Sequence, residues 1–312
     1  MRLVLAIGGG GDVVSAAVLA RKLGAEVGLL PWERYVVDPV PGPLTFKDFK
    51  GVKGAEPLFL IEGSSLAIRG GKAIKPQGAC VAEALGRPVY AISPDAPPSE
   101  VGRALAAEFD EIIGIDVGGD VLACGCEPEL HSPLADSYSL AALKRAEEEG
   151  ASVEIAVAAL GADGELPREY LLRRIAELAA KGALRGYYAF EPSDAPLLEA
   201  LTFKCVTEAS AMALRALRGE FGVLPIRGGA RLAYLDIFTP VIVRLSAPAV
   251  LGINRVAEVI YERDWDVFRA AEGLRELGFT TEYDFERYIA LGLSPKEAIE
   301  RARSERRCQC AQ

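Results

Sequence analysis

The stretch LVLAIGGGGDVVSAA, Leu3–Ala17, joins an apolar run of strand-forming residues to four consecutive glycines, an acid and a helix-forming segment. That order reads as strand, glycine loop, helix, which is the opening unit of a parallel α/β sheet. In such sheets ligands bind beyond the carboxyl ends of the strands, where a helix N-terminus offers N–H groups to an anion. Gly8, Gly9, Gly10 and Gly11 are therefore candidate ligand-binding positions. The run is not a dinucleotide fingerprint, because Val13 stands where the last glycine of G-x-G-x-x-G belongs, and no Lys-Ser/Thr follows to make a Walker loop. Asp12 is counted with them as a candidate ligand-binding position, although it stands where a bound anion would be repelled; its plain alternative is to cap the following helix.

Outward from this unit, short apolar runs alternate with helical patterns. Strands are expected near Leu3–Ile7, Glu26–Leu30, Leu58–Ile61, Val89–Ile92, Glu111–Asp116, Val153–Ala159 and Gly186–Phe190. Helices are expected at Val13–Leu23, Gln77–Leu85, Glu100–Phe109, Ser137–Glu149 and Arg168–Lys181, with a long one over Ala195–Leu217. Phe221–Ala247 reads as extended segments around an Arg227–Gly229 turn, and Val250–Arg303 as almost wholly helical. The fold class is α/β: a Rossmann-like three-layer sandwich with a mostly parallel sheet and a helical C-terminal region. Residues 1–247 are expected to form the ligand-binding domain and 248–312 a helical region packed on it. Pro31–Lys50, with four prolines, is long for a connection in a compact domain and marks a functional loop.

Composition limits the function. No apolar run approaches the roughly 20 residues of a membrane span, and the start lacks the pattern of a secretory signal; a cytoplasmic chain is expected. A net charge of -9 argues against a nucleic-acid partner. One Asn, one His, three Gln and two Met suggest heat adaptation. In that setting the six cysteines, including Cys124-x-Cys126 and Cys308-x-Cys310, read as a tail disulfide or inert thiols ahead of a zinc site, whose pairs are usually spaced more widely.

The chemistry concentrates in IDVGGDVLACGCEPELHSPLADSYSLAAL, Ile115–Leu143, where a strand ends in Asp116, Gly118, Gly119 and Asp120. Carboxylates at a strand's carboxyl end hold hard cations or carry protons. Asp116, Asp120 and Asp136 are accordingly the candidate catalytic residues and the candidate ligands of Mg²⁺, with Ser132 beside them; no organic cofactor is expected. The alternative is turn chemistry, with Asp136 capping a helix. A third strand exit, GADGELPREY, adds Gly161, Asp163 and Glu165. IEGSSL (Ile61–Leu66) and ISPDAPPSE (Ile92–Glu100) read as further exits. The sole imidazole, His131, reads as a supporting or surface group, since sequence neighbours rarely converge as a Ser-His-Asp triad. Lys72, Lys75, Lys204, Arg227 and Arg231 are candidate cations for a substrate anion.

GGGGD at Gly8–Asp12, DVGGD at Asp116–Asp120 and SPLAD at Ser132–Asp136 resemble an archaeal family, domain of unknown function 1152, over most of the chain. The resemblance implies an α/β archaeal protein and carries no activity. The glycine-acid turn is also similar to the Asp-Gly-Gly-Asn loop of D-glutamate cyclase-like proteins, but Asp120 replaces the Asn and that activity is not carried over. Two functions compete: an enzyme acting on a small anionic metabolite, a nucleotide or sugar phosphate, and a non-catalytic small-molecule sensor. A nicotinamide dehydrogenase ranks third, because the second strand lacks a clear ribose-binding acid. A homodimer is the default assembly.

Overall fold

The computed structural model describes residues 1–205, 207–229 and 231–310. The opening strand, β1 (Arg2–Ala6), leads through a 3-10 turn at Gly10–Asp12 into α1 (Val13–Leu23), as the sequence predicts. β2 (Glu26–Leu29) follows, then the proline-rich loop, then an antiparallel set: β3 (Phe49–Ala55), β4 (Leu58–Arg69) and β5 (Lys72–Ile74). α2 (Gln77–Leu85), β6 (Val89–Ile92), α3 (Pro98–Glu108), β7 (Glu111–Val117), α4 (Pro133–Glu148), β8 (Ser152–Ala158) and α5 (Arg168–Ala180) complete the alternating part. β9 (Leu184–Ala189), α6 (Ala195–Lys204), α7 (Ala209–Leu217), the hairpin β10 (Gly222–Ile226) and β11 (Arg231–Leu235), and β12 (Val241–Ser246) come next. Five helices end the chain: α8 (Ala247–Leu251), α9 (Arg255–Arg263), α10 (Val267–Glu276), α11 (Glu282–Ala290) and α12 (Pro295–Glu305).

The main sheet runs β3-β4-β6-β2-β1-β7-β8-β12-β9, with β5 added to β4. Its centre, β6-β2-β1-β7-β8, is parallel. Alternation along β1 divides the interior: Leu3, Leu5 and Ile7 face one core, built with α3, α4 and the C-terminal helices, while Val4 and Ala6 face the other, built with α1, α2, α6 and α7. The result is a three-layer α/β sandwich. Among the described residues no helix is long and apolar enough to cross a membrane.

Three expectations are corrected. β4 is longer than expected and antiparallel to β6, so Ile61–Leu66 lies inside a strand and not at an exit. The segment Ala195–Leu217 holds two helices, one ending at Lys204 and the other beginning at Ala209. β12 is antiparallel to both β8 and β9.

α4 is the central helix on its face, lying against the sheet and packed by α3, α8, α9 and α10. Its Tyr138 is fully buried, with the hydroxyl 2.8 Å from the Ser93 carbonyl oxygen and 2.7 Å from that of Ala96. These bonds occupy the Ser93–Ala96 turn beyond β6. Tyr138→Phe leaves the two carbonyls without this donor and is expected to cost about 1–3 kcal/mol in denaturant unfolding; an unchanged midpoint would show that water replaces the hydroxyl.

Candidate functional site

The chain steps outward from β1 to β2 and β6, then returns to place β7 on the other side of β1. The crevice at that reversal, beyond the carboxyl ends of β1 and β7, is where ligands bind in open parallel sheets. Both quoted glycine runs sit there. A Cβ on Gly8 would lie 2.5 Å from Asp12 Oδ2 and 3.1 Å from Asp136 Oδ1. Gly118 adopts φ +132°, and a Cβ there would lie 2.6 Å from Asp163 Cγ. These glycines let carboxylates approach the main chain. The Gly10 N–H is already donated to Trp32 O at 2.9 Å, while Gly8, Gly10, Gly11 and Asp12 all line the crevice.

Six acids form two adjoining clusters. Asp12, Asp116 and Asp136 bring one oxygen each within 4.8 Å of the others, and so do Asp120, Asp163 and Glu165. The expected trio of Asp116, Asp120 and Asp136 is thus divided, and Asp12 takes the place assigned to Asp120. Asp12 is no helix cap: its Oδ2 accepts the Val117 N–H at 3.1 Å, tying the β1 exit to β7. Asp116 accepts the Gly119 and Val121 N–H groups at 3.4 and 3.1 Å. Asp136 stands in the first turn of α4, and its Oδ1 is buried without a hydrogen-bond partner among the described residues.

The clusters differ in charge compensation. Glu165 accepts the His131 and Ser132 N–H groups, the Ser132 hydroxyl at 2.6 Å and Arg231 Nη1 at 2.6 Å. Burial pushes its carboxyl up, but Arg231, His131 and Ser132 outweigh burial and hold it below the usual range. No arginine, lysine or histidine among the described residues makes an ion pair with Asp12, Asp116 or Asp136. Burial and like-charged neighbours raise Asp12, Asp136 and Asp120 well above the ordinary carboxyl value, Asp116 to about 7 and Asp163 to about 6.

His131 assembles no triad. Ser132 Oγ donates to Asp120 Oδ2 at 3.1 Å and to Glu165, while the imidazole lies 3.5 Å from Arg303 and is kept neutral by burial, its pKa lowered to about 4. Gly161 links the loops, its N–H donating to Gly118 O at 2.7 Å. Of the candidate cations, Arg227 and Arg231 line the crevice and the three lysines do not.

The crevice encloses about 280 Å³. Arg227 and Arg231 from the hairpin and Arg34 from the proline-rich loop also line it, with Glu208 accepting Arg34 Nη1 at 3.1 Å and the Arg227 N–H at 3.1 Å. Arg227 holds φ +55°, a conformation costing a non-glycine residue about 1 kcal/mol or more and concentrated at functional sites. Above them, Tyr35 and Phe285 meet edge to face at 5.5 Å, and Glu282, Glu286 and Ile299 close the roof. Sequence reading missed Arg34, Glu208 and the roof. The length of Pro31–Lys50 was a signal for the first; the acids of α11 look like ordinary surface charges of an amphipathic helix.

A family model described as "Protein of unknown function (DUF1152)" matches residues 3–290. The chain belongs to this family. The DUF1152 match takes in both carboxylate clusters and α11 and stops before α12, Cys308 and Cys310. No curated protein and no solved structure matches the chain.

The buried carboxyls predict an inverted pH dependence of stability. Glu33, Asp116 and Glu286 are raised to about 7 and Glu282 to about 8, each chiefly by burial. Unfolded, they ionise near pH 4. Above that the folded state keeps protons that the unfolded state has released, so stability falls as pH rises through the folded values. His131 acts in the opposite sense only below its ordinary 6.5. Between pH 6.5 and 8, with a chelator present, unfolding free energy is therefore expected to fall; a rise across that window would contradict these assignments.

Proposed function

We propose that the crevice is the active site of a divalent-cation-dependent enzyme acting on a small anionic metabolite, a nucleotide or sugar phosphate. The observation that supports this most is the Asp12, Asp116 and Asp136 cluster: three buried carboxylates from separate segments, without a paired cation, one of them with an orphaned oxygen. Buried charge of that kind is retained where something neutralises it. All-oxygen ligands suit Mg²⁺ or Mn²⁺. Bound there, the ion would supply charge neutralisation for a phosphate or carboxylate oxygen.

The chain's own groups divide the remaining work. Arg227 and Arg34, held by Glu208, orient the anion. Asp120, its pKa raised by burial and its acidic neighbours and its carboxyl positioned by Ser132, carries a proton to or from the reacting oxygen through its unpartnered Oδ1. The aromatic roof excludes water. Hydrolysis and phosphoryl transfer both fit this division of roles. The depletion of Asn, His and Met together with three disulfides supports placing the protein in the cytoplasm of a heat-adapted archaeal cell. We also keep a homodimer as the default assembly and propose no nucleic-acid partner.

A thermal-shift screen of nucleotides and sugar phosphates, with and without Mg²⁺, tests the reading. One anion class should stabilise the wild type only with Mg²⁺, by about 3 kcal/mol at a hundredfold excess over Kd. Asp136→Asn should abolish the Mg²⁺ effect while raising the stability of the metal-free protein, and Arg227→Ala should weaken anion binding at least tenfold. Stabilisation without turnover would assign the non-catalytic sensor; no shift with any compound would remove the site.

A further inference from the structure

α11 and α12 roof the crevice with little share in the main cores: Tyr283, at the start of α11, packs against one of them, edge to face with Trp32 and Phe268. Tyr288, Ala298 and Ala302, with Phe285, Ile289 and Leu293, form a small apolar cluster of their own. Beyond Tyr283 and the Tyr35–Phe285 pair, the roof grips the body through polar contacts: Glu282 accepts the Leu134 and Ala135 N–H groups at 2.9 and 2.7 Å at the start of α4, and Glu286 accepts Trp32 Nε1 at 3.1 Å and the Gly42 N–H at 2.8 Å. Carboxylates taken out of water give a weak net grip, because their desolvation cancels much of the hydrogen-bond gain. A terminal helix pair held in that way should fray.

The tail supplies what the packing lacks. Cys308 is bonded to Cys126 and Cys310 to Cys124. The receiving loop follows directly on Asp120 and is itself rigid: Glu127 accepts the Cys124 and Gly125 N–H groups at 2.6 and 2.9 Å and the Tyr170 hydroxyl. Arg306 adds bonds to the carbonyls of Glu127 and Leu130. We propose that the paired Cys-x-Cys motifs form a covalent clasp that holds α11–α12 shut over the crevice, and that a dithiol opens this lid. A tether of this kind keeps the lid at high effective concentration over its seat; cutting it leaves the polar contacts and the few aromatic pairs made by Tyr283 and Phe285. In the opening step each protein disulfide takes two electrons and two protons from one dithiol, which becomes a cyclic disulfide, so two dithiols release four protein thiols. The third bridge, Cys80–Cys205, joins α2 to the end of α6 and takes no part.

Hydrogen exchange on the full chain tests the clasp without reference to any ligand. In the double variant Cys308→Ser/Cys310→Ser, amides of residues 282–305 should exchange at least tenfold faster than in the oxidised wild type, while those of β1 and β7 stay unchanged. Dithiothreitol should reproduce the effect in Cys80→Ser/Cys205→Ser, where only the clasp can be reduced. In a Trp265→Phe background, acrylamide should quench Trp32 several-fold more strongly after reduction. Unchanged exchange over 282–305 in both proteins would overturn the proposal. Acceleration spread equally over β1 and β7 would also overturn it, by showing that the bridges support the whole fold.

Discussion

Mutual repulsion among carboxylates held out of water is the constraint around which this structure is arranged. Asp12, Asp116, Asp120, Asp136, Asp163 and Glu165 are all buried, and they converge because three neighbouring parallel strands, β1, β7 and β8, deliver their exits to one edge. Nothing about the packing of the sheet requires them to be acids. Neutral amides of nearly the same size would fill that space at far lower electrostatic cost. The chain bears the cost through protons, through Arg231 on one cluster, and by our proposal through a cation on the other.

Other features follow from that arrangement. Gly8 and Gly118 give up side chains so that acids can lie against the backbone. Ser132 bridges the Asp120 and Glu165 carboxylates. Glu282 fills the start of α4, so the one helix N-terminus best placed to hold a substrate anion is already occupied by the chain itself. The burden of binding an anion therefore passes to the arginines of the crevice. One of them, Arg227, sits with positive φ in the turn of the β10–β11 hairpin.

Much of the fold could be read from the chain because local chemistry and global topology agree. LVLAIGGGGDVVSAA admits one arrangement, and the alternating segments through Lys181 fall close to their expected bounds. β4 was truncated because Gly63, Ser64 and Ser65 interrupt its apolar alternation, and its direction has no local signature. Asp12 was misplaced for a related reason: next to a helix start an acid reads as a cap, and only the pairing of β1 with β7 reveals the Val117 N–H as its partner. The carboxylates of α11 sit at polar positions of an amphipathic helix, where their burial cannot be seen. The cysteine pairs carry no local trace either, since six cysteines allow 15 pairings and the bonded partners lie 125 to 186 residues apart.

The central claim is that Asp12, Asp116 and Asp136 hold a divalent cation, and the most direct test is anomalous diffraction from crystals soaked in Mn²⁺ at pH 7.5. The account predicts one strong anomalous peak within about 2.4 Å of an oxygen from each of the three carboxylates, absent from Asp136→Asn crystals. A peak confined to Asp120, Asp163 and Glu165, or no peak at either cluster, would contradict it and leave protons as the only charge that these acids carry.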